Sequence, residues 1–414
     1  MAKKTVADID VKGKKVLMRC DFNVPLDDNC NITSDDRIVK AMPTIKHILG
    51  RGGALILMSH LGRPEGGRKE PEYSLAPVAK RLSELTGQNV VFASDCIGPD
   101  TKAKAKALKS GMCMLLENLR FYKEETIKDK AAKEDLQLRQ AKDNFAKELA
   151  DMADIYVNDA FGTAHRDNAS MYTVPMLMKG KPRVIGFLVE KELKFLGDTV
   201  SNPEKPFVAI LGGAKVSDKI GVIENLMNKV DCILIGGAMA YTFFKANGQE
   251  VGKSLCEDDF VDKATSLLEQ AKDVGCEIVL PVDTVVAKEL KAGAEHKVVS
   301  GNIEDDWQGL DIGPKTRKLF AGKLQGAKTI VWNGPMGVFE ITPFDEGTKA
   351  VALAVADATS KGARSVIGGG DSASAIENLG LEDKVSHIST GGGASLEFLE
   401  GKKFKCIEIL DEKD

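Results

Sequence analysis

Short apolar runs recur along the chain and alternate with segments whose apolar residues follow helical spacing. The runs cover residues 16–18, 54–58, 112–116 and 155–157 in the first half, and 208–211, 330–332 and 366–367 in the second. The segment 257–275 repeats Phe260, Ala264, Leu267, Leu268 and Ala271 at helical spacing and leads into a further run over 277–280. Almost continuous apolar runs are typical of strands buried on both faces of a parallel sheet. The pattern predicts repeated βα units and therefore an α/β fold.

The chain length favours two domains, and a helical segment near its middle marks the predicted boundary. A chain of 414 residues exceeds the size at which a single hydrophobic core stops growing. Residues 188–196 are predicted to form a helix, and Asn202-Pro203 followed by Pro206 is typical of its end. We place the boundary within residues 186–204, where a helix that joins two domains can act as a hinge.

The residues that follow the predicted strands differ between the two halves of the chain. In the first half they are charged or polar: Asp21-Phe22-Asn23, Ser59-His60-Leu61-Gly62-Arg63, Glu117-Asn118-Leu119-Arg120 and Asn158-Asp159 through His165-Arg166. In the second half they are rich in glycine: Gly212-Gly213-Ala214-Lys215, Asn333-Gly334-Pro335 and Gly368-Gly369-Gly370-Asp371. Open parallel sheets bind ligands beyond the carboxyl ends of their strands. We therefore predict two anionic ligands that meet across a cleft, one in a cationic pocket and one in phosphate-binding glycine loops.

Composition and charge exclude several other classes of protein. Apolar residues make up 43% and charged residues 29%, which is typical of a soluble globular protein. A net charge of -4 provides no general basic surface for nucleic acid or anionic membranes. No apolar stretch reaches the length of a membrane span, and the N-terminal residues lack the apolar core of a signal peptide. The eight cysteines are scattered without a Cys-x-x-Cys pair and are predicted to be reduced thiols, so we expect a cytoplasmic protein.

The region 123–153 is highly charged and is predicted to be helical. Phe145, Leu149 and Met152 share one face of this helix. The charges favour an interpretation as a solvated surface helix rather than as part of a site.

The first-half pocket is predicted from arginine and histidine side chains on strand-end loops. These residues are Arg37, Arg63, Arg120, Arg166, His60 and His165. Guanidinium groups bind phosphate and carboxylate in a bidentate manner, so several converging on one crevice indicate a small phosphorylated acid. Asp21 and Asn23 can accept from and donate to a hydroxyl of such a ligand. A single arginine is more often part of a surface ion pair, and the two histidines can equally be structural. No serine or cysteine motif accompanies the histidines, which argues against nucleophilic catalysis.

The second-half site is predicted from glycine-rich strand-to-helix junctions, although the chain contains no P-loop. Lys215 and Lys219 are four residues apart after Gly212-Gly213, and we predict that they share one helical face and reach one polyphosphate. Gly368 to Ala373 fits the dinucleotide fingerprint, but Asp371 beside a phosphate nest requires a cation, which favours Mg²⁺-nucleotide. Thr390 to Ser395 is predicted to open the last long helix with further free amides.

The stretch Trp332 to Glu340 combines a backbone suited to close approach with an acidic end. Glu340 can accept from ribose hydroxyls, and Gly309-Leu310 can pack on a nucleotide base. Trp332 is predicted to lie in the core rather than to stack on the base.

These motifs together resemble phosphoglycerate kinases over essentially the whole chain. The matching segments are Lys15 to Pro25, Ser59 to Pro64, Glu117 to Phe121, Asn158 to Arg166, Leu211 to Lys219, Trp332 to Glu340 and Ser389 to Leu399. The resemblance implies two Rossmann-like domains, each a parallel sheet flanked by helices, joined by a hinge helix. It implies a domain for 3-phosphoglycerate or 1,3-bisphosphoglycerate over 1–186, a hinge helix and linker over 187–204, a Mg-nucleotide domain over 205–400, and a C-terminal tail over 401–414 that returns to the first domain.

The resemblance also implies roles for individual residues. Those matching the triose-acid site are Asp21, Asn23, Arg37, His60, Arg63, Arg120 and Arg166. Those matching the nucleotide site are Gly212, Gly213, Lys219, Gly236, Gly237, Gly309, Leu310, Asn333, Pro335, Gly337, Glu340, Gly369, Gly370, Asp371 and Ser372, with Asp371 as the Mg²⁺ ligand. The expected catalytic groups are Arg37, Lys215, Gly370 and Gly393. Many members of the family have threonine at the position of Ser372. Serine also carries a hydroxyl, so hydrogen bonding to phosphate is expected to be kept.

The expected reaction is reversible phosphoryl transfer between 1,3-bisphosphoglycerate and ADP, by a monomer that acts on small molecules and has no nucleic-acid or membrane partner. The attacking oxygen is already ionised in either direction, so neither a general base nor a covalent intermediate is required. An NAD-dependent dehydrogenase is the first alternative, but it needs an acidic residue about twenty positions after the fingerprint. Residues 388–391 offer Ile-Ser-Thr-Gly there instead. A non-catalytic nucleotide-binding protein of the same fold is the second, and the presence of Lys215 and Asp371 disfavours it.

Overall fold

The computed structural model describes residues 2–413, which form two compact units. Unit 1 comprises the residues up to Glu192 together with those from Lys403 onward, and unit 2 comprises Leu193–Lys402. The division falls within a helix that spans Phe187–Ser201. The helix predicted over 188–196 is therefore confirmed.

A six-stranded parallel sheet forms the centre of unit 1. Its strands are β1 (Lys15–Cys20), β2 (Ala54–Met58), β3 (Val90–Phe92), β4 (Cys113–Leu115), β5 (Ile155–Asp159) and β6 (Arg183–Ile185), in the spatial order β3-β4-β2-β1-β5-β6. Cys20 at the end of β1 lies opposite Asp159 at the end of β5, and Arg19 lies opposite Met58 at the end of β2. The chain fills one side of β1 with β2 to β4 and then returns to the other side with β5. The carboxyl ends beside β1 are therefore the switch point at which such sheets bind ligands.

Helices cover this sheet because their apolar residues lie on one face. The helices are α1 (Asp36–Gly50), α2 (Ala76–Thr86), α3 (Pro99–Ala107), α4 (Asp129–Glu134), α5 (Leu136–Ala150), α6 (Val174–Leu177) and α7 (Phe187–Ser201). In α1, Ile38, Ile45 and Ile48 recur at helical spacing, are fully buried and share a core cluster with Val16 and Leu55 of the sheet. Strands β2, β4 and β5 are buried at every position, which is why their sequence is almost continuously apolar.

The charged region 123–153 is largely helical and, as predicted, keeps most of its charged side chains exposed or half-buried. Phe145, Leu149 and Met152 are buried as expected. Two charged residues are buried with them, because Glu125 is 0% and Lys142 is 2% exposed. Charged groups are buried only with partners, and the Lys142 ammonium donates to Asp129 Oδ1 at 2.7 Å.

Unit 2 contains a second six-stranded parallel sheet and a smaller antiparallel sheet that the sequence did not reveal. Its strands are β7 (Phe207–Leu211), β8 (Cys232–Ile235), β9 (Glu277–Val279), β10 (Thr284–Ala287), β11 (His296–Val299), β12 (Gln308–Ile312), β13 (Thr329–Asn333), β14 (Arg364–Gly368) and β15 (His387–Ile388). The parallel sheet has the order β15-β14-β13-β7-β8-β9, and the antiparallel one the order β11-β10-β12. The switch point of the parallel sheet lies between β7 and β13.

The helices of unit 2 agree with the predicted βα units, with one exception in length. They are α8 (Ile220–Leu226), α9 (Met239–Ala246), α10 (Val261–Asp273), α11 (Pro314–Leu324), α12 (Glu346–Ser360), α13 (Gly370–Asn378) and α14 (Gly393–Leu399). The helical prediction over 257–275 is confirmed by α10. The segment after Thr390 does open a helix, but α14 has seven residues and is not a long helix. Trp332 is 0% exposed, so its predicted place in the core is confirmed.

The residues from Lys403 onward pack within unit 1 and include a short helix, α15 (Lys405–Glu408). Lys4 N donates to Asp411 O at 2.8 Å, and Asp411 N donates to Arg183 O at 2.8 Å beside β6. The Cys406 thiol donates to Ala164 O at 2.9 Å. All eight cysteines are free thiols, as predicted. No helix in the part of the chain that the structure describes is long and apolar enough to cross a membrane.

Candidate functional site

The polar residues predicted to form the first pocket lie at the carboxyl edge of the unit 1 sheet. They follow four different strands: Asp21 and Asn23 after β1, His60 and Arg63 after β2, Arg120 after β4 and Arg166 after β5. Arg37 joins them from the first turn of α1. Parallel strands end at a common edge, so residues distant in sequence are collected there.

Asp21 and Arg37 form the best-defined ion pair of this edge. Arg37 Nη1 lies 2.6 Å from Asp21 Oδ2, and the Asp21 side chain is only 10% exposed. Burial disfavours ionisation of Asp21, but its interactions with His60, Arg37 and Arg19 outweigh burial and lower its pKa. Asp21 is therefore a carboxylate at neutral pH and can accept a hydrogen bond from a ligand hydroxyl.

His60 and Arg120 are buried polar groups in the same region. His60 is 4% and Arg120 is 8% exposed. Burial, reinforced by Arg19, Arg120 and Arg166, holds the pKa of His60 well below its usual range, so the imidazole is neutral at pH 7. Burial and the charges of Arg166 and Arg19 also lower the pKa of Arg120 to about 10.

The Arg120 guanidinium is incompletely satisfied by the protein. Its Nη1 donates to Gly62 O, whereas its buried Nε has no hydrogen-bond partner among residues 2–413. Leaving a charged donor buried and unpaired is costly, and Arg166 and Arg19 add like-charge repulsion. An anion bound at this edge would remove both penalties.

The remaining predicted residues of this pocket differ in their exposure and in their hydrogen bonds. Asn23 Oδ1 accepts from Gly62 N at 2.7 Å, so its amide nitrogen is the part left for a ligand. Arg166 is exposed, and its Nε donates to His165 Nε2 at 3.2 Å. Arg63 is exposed and makes no hydrogen bond or ion pair within the described chain.

Arg19 belongs to this edge, but the sequence did not identify it as a site residue. It lies inside β1 and is 0% exposed. Its guanidinium contacts His60 Nδ1 at 3.2 Å and Ser170 Oγ at 2.9 Å. An arginine inside an apolar strand is a signal in itself, because a buried charge requires partners.

In unit 2, close approaches between glycine loops explain several glycines predicted at the nucleotide site. An added Cβ at Gly212 would lie 2.0 Å from Pro335 O, and one at Gly237 would lie 2.5 Å from Gly213 N. Gly213 N donates to Pro335 O at 3.2 Å, which joins the loops after β7 and β13. Gly236 is equally restricted, since its Cβ would lie 2.4 Å from Met336 Sδ. These glycines therefore allow three strand-end loops to pack against one another.

The prediction that Lys215 and Lys219 share one helical face was wrong. Helix α8 begins at Ile220, and both lysines lie in the loop before it. Ser217 between them is held by Glu257, which accepts from Ser217 N at 3.0 Å and from Ser217 Oγ at 2.6 Å. Lys215 is exposed, whereas Lys219 is 9% exposed and donates to Asn333 Oδ1.

Burial makes the ammonium group of Lys219 easier to deprotonate than that of an ordinary lysine. It lowers the pKa of Lys219 to about 8, against the opposing charges of Asp218, Asp371 and Glu400. Lys219 is therefore still mostly a cation at pH 7, in contact with the loop after β13.

The start of α13 combines free backbone amides with one carboxylate. Gly369 has φ +89°, a value that favours glycine, and no side chain caps the helix. Asp371 lies in the first turn and is exposed, and Ser372 Oγ accepts from Gly334 N at 2.7 Å. Amides at a helix start favour phosphate. Asp371 makes no hydrogen bond or ion pair within residues 2–413, although its charge acts on Lys219. A single carboxylate beside a phosphate site suits Mg²⁺ held mainly by phosphates and water.

The residues predicted to hold the ribose and the base lie around β12. Gly309 and Leu310 are part of this strand rather than of a loop, and Val338 N donates to Leu310 O at 2.9 Å. A Cβ at Gly309 would overlap the Tyr241 ring, and one at Gly337 would lie 2.4 Å from Asp311 Oδ1. Glu340 follows this contact and is exposed.

Comparisons with known proteins identify the family. The chain matches the phosphoglycerate kinase family over residues 6–402. It is 57% identical over 415 residues to a phosphoglycerate kinase of Thermosipho africanus, covering 100% of this chain and 99% of that protein. It is 56% identical over 413 residues to one of Chlorobium phaeobacteroides, covering 100% of both.

Solved structures agree with the sequence comparison. The phosphoglycerate kinase of Coxiella burnetii superposes with a TM-score of 0.85 at 41% identity, over 98% of each chain. That of Pyrococcus horikoshii superposes with a TM-score of 0.81 at 33% identity, also over 98% of each chain. The chain therefore belongs to the phosphoglycerate kinase family, the glycolytic ATP/ADP-dependent phosphotransferases whose acceptor is a carboxyl group.

Proposed function

We propose that this chain transfers a phosphoryl group reversibly from 1,3-bisphosphoglycerate to ADP in a Mg²⁺-dependent reaction, giving 3-phosphoglycerate and ATP. The observation that carries the triose-acid site is the buried Arg120 guanidinium, whose Nε lacks a protein partner in the described chain beside further positive charges. A small ligand with a phosphate and a carboxylate supplies the negative charge that this edge needs.

In unit 1 the predicted residues divide between charge and hydroxyl recognition. Arg37, Arg63, Arg120 and Arg166 bind the phosphate and carboxylate oxygens. Asp21 and Asn23 hold the ligand hydroxyl, and His60 donates to an anionic oxygen.

In unit 2 the loops after β7, β8, β13 and β14, together with strand β12, bind the nucleotide. The residues proposed are Gly212, Gly213, Lys219, Gly236, Gly237, Gly309, Leu310, Asn333, Pro335, Gly337, Glu340, Gly369, Gly370, Asp371 and Ser372. Lys219 and the amides at the start of α13 bind phosphates, and Glu340 accepts from the ribose. Asp371 is the protein ligand of Mg²⁺, which when bound neutralises phosphate charge.

Catalysis is assigned to positioning and charge neutralisation. The attacking oxygen is an ionised carboxylate or phosphate, so no side chain has to remove a proton. Lys215, Arg37 and the amides at Gly370 and Gly393 stabilise the oxygens of the transferred phosphoryl group. The residues 1–186 bind the triose acid, with 401–414 packed on them, and 205–400 bind the nucleotide. Segment 187–204 is the proposed hinge that brings the two ligands into line and excludes water, which would hydrolyse the acyl phosphate.

The enzyme is proposed to act as a cytoplasmic monomer on small molecules, without a nucleic-acid or membrane partner. NAD-dependent hydride transfer is not favoured, because residues 388–391 lack the acidic residue that binds the ribose of NAD. Non-catalytic nucleotide binding is not favoured, because Lys215 and Asp371 are both present.

A coupled assay tests the proposed function. ATP, Mg²⁺ and 3-phosphoglycerate are supplied, and the 1,3-bisphosphoglycerate formed is reduced by a coupling enzyme with NADH. We expect activity that depends on both substrates and on the metal. Failure to bind 3-phosphoglycerate would overturn the interpretation of the arginine pocket, and binding of NAD in place of ADP would overturn that of the glycine loops.

A further inference from the structure

A network of fully buried polar side chains lies behind His60 in unit 1. Its members Arg19, Ser170 and Glu125 are each 0% exposed. Arg19 comes from β1, Glu125 from the turn Lys123–Thr126 and Ser170 from the helical segment Ala169–Thr173. Such a network is costly to bury unless each group is satisfied, and therefore calls for a role.

Each of the three guanidinium nitrogens of Arg19 has a polar partner in the protein. Its Nε donates to Ser170 Oγ at 2.9 Å and its Nη1 to Cys20 O. Its Nη2 lies 3.2 Å from His60 Nδ1 and 4.0 Å from Glu125 Oε1. Arg120, by contrast, keeps a free Nε. Arg19 is therefore not arranged to bind a ligand directly.

The contact between Arg19 and His60 fixes the position of the imidazole proton. Arginine has only donors, so His60 Nδ1 must accept this hydrogen bond and cannot carry a proton. The proton of the neutral ring is then on Nε2. Within residues 2–413 the His60 ring makes a hydrogen bond through Nδ1 only, so the Nε2–H is available to a bound anion.

Ser170 and Glu125 hold Arg19 in the orientation that produces this state. Glu125 Oε1 accepts from Ser170 Oγ at 2.7 Å, and Oε2 accepts from Ser170 N at 2.9 Å. Because the single hydroxyl proton of Ser170 is directed to the carboxylate, an oxygen lone pair is left for Arg19 Nε. Asn168 and Tyr156 secure the same segment, donating to Glu125 Oε1 at 3.3 Å and to Ser170 O at 2.9 Å.

We propose that Arg19, Ser170 and Glu125 are positioning residues that hold His60 as its Nε2–H tautomer, so that His60 donates a hydrogen bond to an anionic oxygen of the triose acid. This inference rests on the proposed function for the identity of the ligand only. The tautomer itself is a property of the free protein. No member of the network touches the substrate; each acts through His60.

The first test is the tautomer of His60 by two-bond ¹H–¹⁵N NMR at pH 7. The chain has five histidines, so assignment with a His60→Gln variant is practical. We expect His60 in the wild-type protein to show a protonated Nε2 and an unprotonated Nδ1. In Ser170→Ala, Arg19 loses the acceptor of its Nε, and we expect His60 to show a mixture of both tautomers. A protonated Nδ1 in the wild type, or an unchanged tautomer in Ser170→Ala, overturns the proposal.

The second test separates positioning from a general loss of structure. Ser170→Ala is expected to raise KM for 3-phosphoglycerate roughly three- to tenfold, the scale of one hydrogen bond, with KM for ATP unchanged. Ser83→Ala is the matched control, because Ser83 is a half-buried serine of unit 1 that bonds to Ala79 O and Val90 N away from the site. Ser83→Ala should change neither the KM for 3-phosphoglycerate nor the KM for ATP.

A further variant keeps the test decisive if Ser170→Ala does not fold. Glu125→Gln keeps one acceptor oxygen for Ser170 and removes the charge beside Arg19, and it is expected to show the same tautomer mixture and the same selective rise in KM. An equal rise in KM for both substrates would indicate a structural role and overturn the proposal. If the tautomer behaves as expected but 3-phosphoglycerate neither binds nor reacts, the proposed function fails while the positioning network stands.

Discussion

Asp159, at the carboxyl end of β5, is a carboxyl group buried against the first turn of α7. It is 0% exposed, and its Oδ1 accepts from Leu188 N at 2.9 Å and from Val189 N at 3.2 Å. No lysine or arginine in the described residues forms an ion pair with it. Burial raises the pKa of Asp159 from 3.8 to about 7, although these hydrogen bonds oppose the shift. We predict that Asp159→Asn will stabilise unit 1 in a pH-dependent manner.

The size of the change in the free energy of unfolding follows from the pKa shift of Asp159. An increase from 3.8 to about 7 corresponds to about 4 kcal/mol, at about 1.4 kcal/mol per pKa unit. The unfolded chain releases this proton near pH 4 and the folded chain near pH 7, so the folded state binds more protons in between. Asp159 therefore makes the free energy of unfolding fall as pH rises through this window and then level off. In the Asn variant this contribution is absent, so its stability relative to the wild type should rise by about 3 kcal/mol between pH 5 and pH 8.

Urea denaturation from pH 5 to pH 8 measures this difference. Four of the five tyrosines (Tyr73, Tyr122, Tyr156 and Tyr172) are in unit 1, so near-UV circular dichroism from tyrosine reports mainly on that unit. Both tryptophans (Trp307 and Trp332) are in unit 2, and their fluorescence serves as an internal control. The control variant is Asp154→Asn, which alters an exposed carboxylate that accepts from Lys15 N at 2.9 Å. A difference between Asp159→Asn and wild type that does not change with pH would refute the reasoning.

Other substitutions test the two ligand sites. Lys215→Ala is expected to lower kcat roughly a hundredfold or more in steady-state assays, the scale of one preorganised charge donor; a change in KM alone would show that Lys215 only binds. Arg120→Ala should weaken 3-phosphoglycerate binding roughly thirtyfold or more by calorimetry, and unchanged affinity would remove Arg120 from the site. Because the pKa of Lys219 is about 8, its ammonium is lost above that pH and KM for ATP should rise between pH 7 and pH 9. Lys219→Arg should flatten this dependence, and a wild-type KM that is constant with pH would contradict it. Gly212→Ala places a Cβ 2.0 Å from Pro335 O, so weaker ADP binding and a lower unfolding midpoint of unit 2 are expected; unaltered values of both would show that the loops tolerate a side chain.

The sequence was sufficient for the elements that a strong local pattern determines. The apolar runs at 54–58 and 208–211 are strands within one residue of their predicted bounds, because strands buried on both faces need continuous apolar sequence. The charged loops of unit 1 and the glycine loops of unit 2 were found because they follow such strands directly.

The features of the fold and of the site that were not predicted depend on contacts between residues far apart in the chain, which local sequence patterns do not reveal. Glu125 and Arg19 are far apart in the chain, and only the fold brings their side chains into one buried network. The sheet of β10 to β12 was missed because its strands are short, and β11 alternates between exposed and half-buried residues. Lys215 and Lys219 looked like helix neighbours by spacing, but Glu257 holds Ser217 in a loop between them.

Direct transfer between two bound ligands, without a phosphorylated enzyme, can be measured by isotope exchange. The enzyme is incubated with Mg²⁺, ATP and radiolabelled ADP, with and without 3-phosphoglycerate, and the label appearing in ATP is followed. His60 is neutral, with Nδ1 engaged by Arg19, and the attacking oxygen comes from the ligand itself. We therefore predict no exchange without 3-phosphoglycerate and rapid exchange when it is added. Exchange in the absence of 3-phosphoglycerate, together with label from [γ-³²P]ATP bound covalently to the protein, would contradict direct transfer.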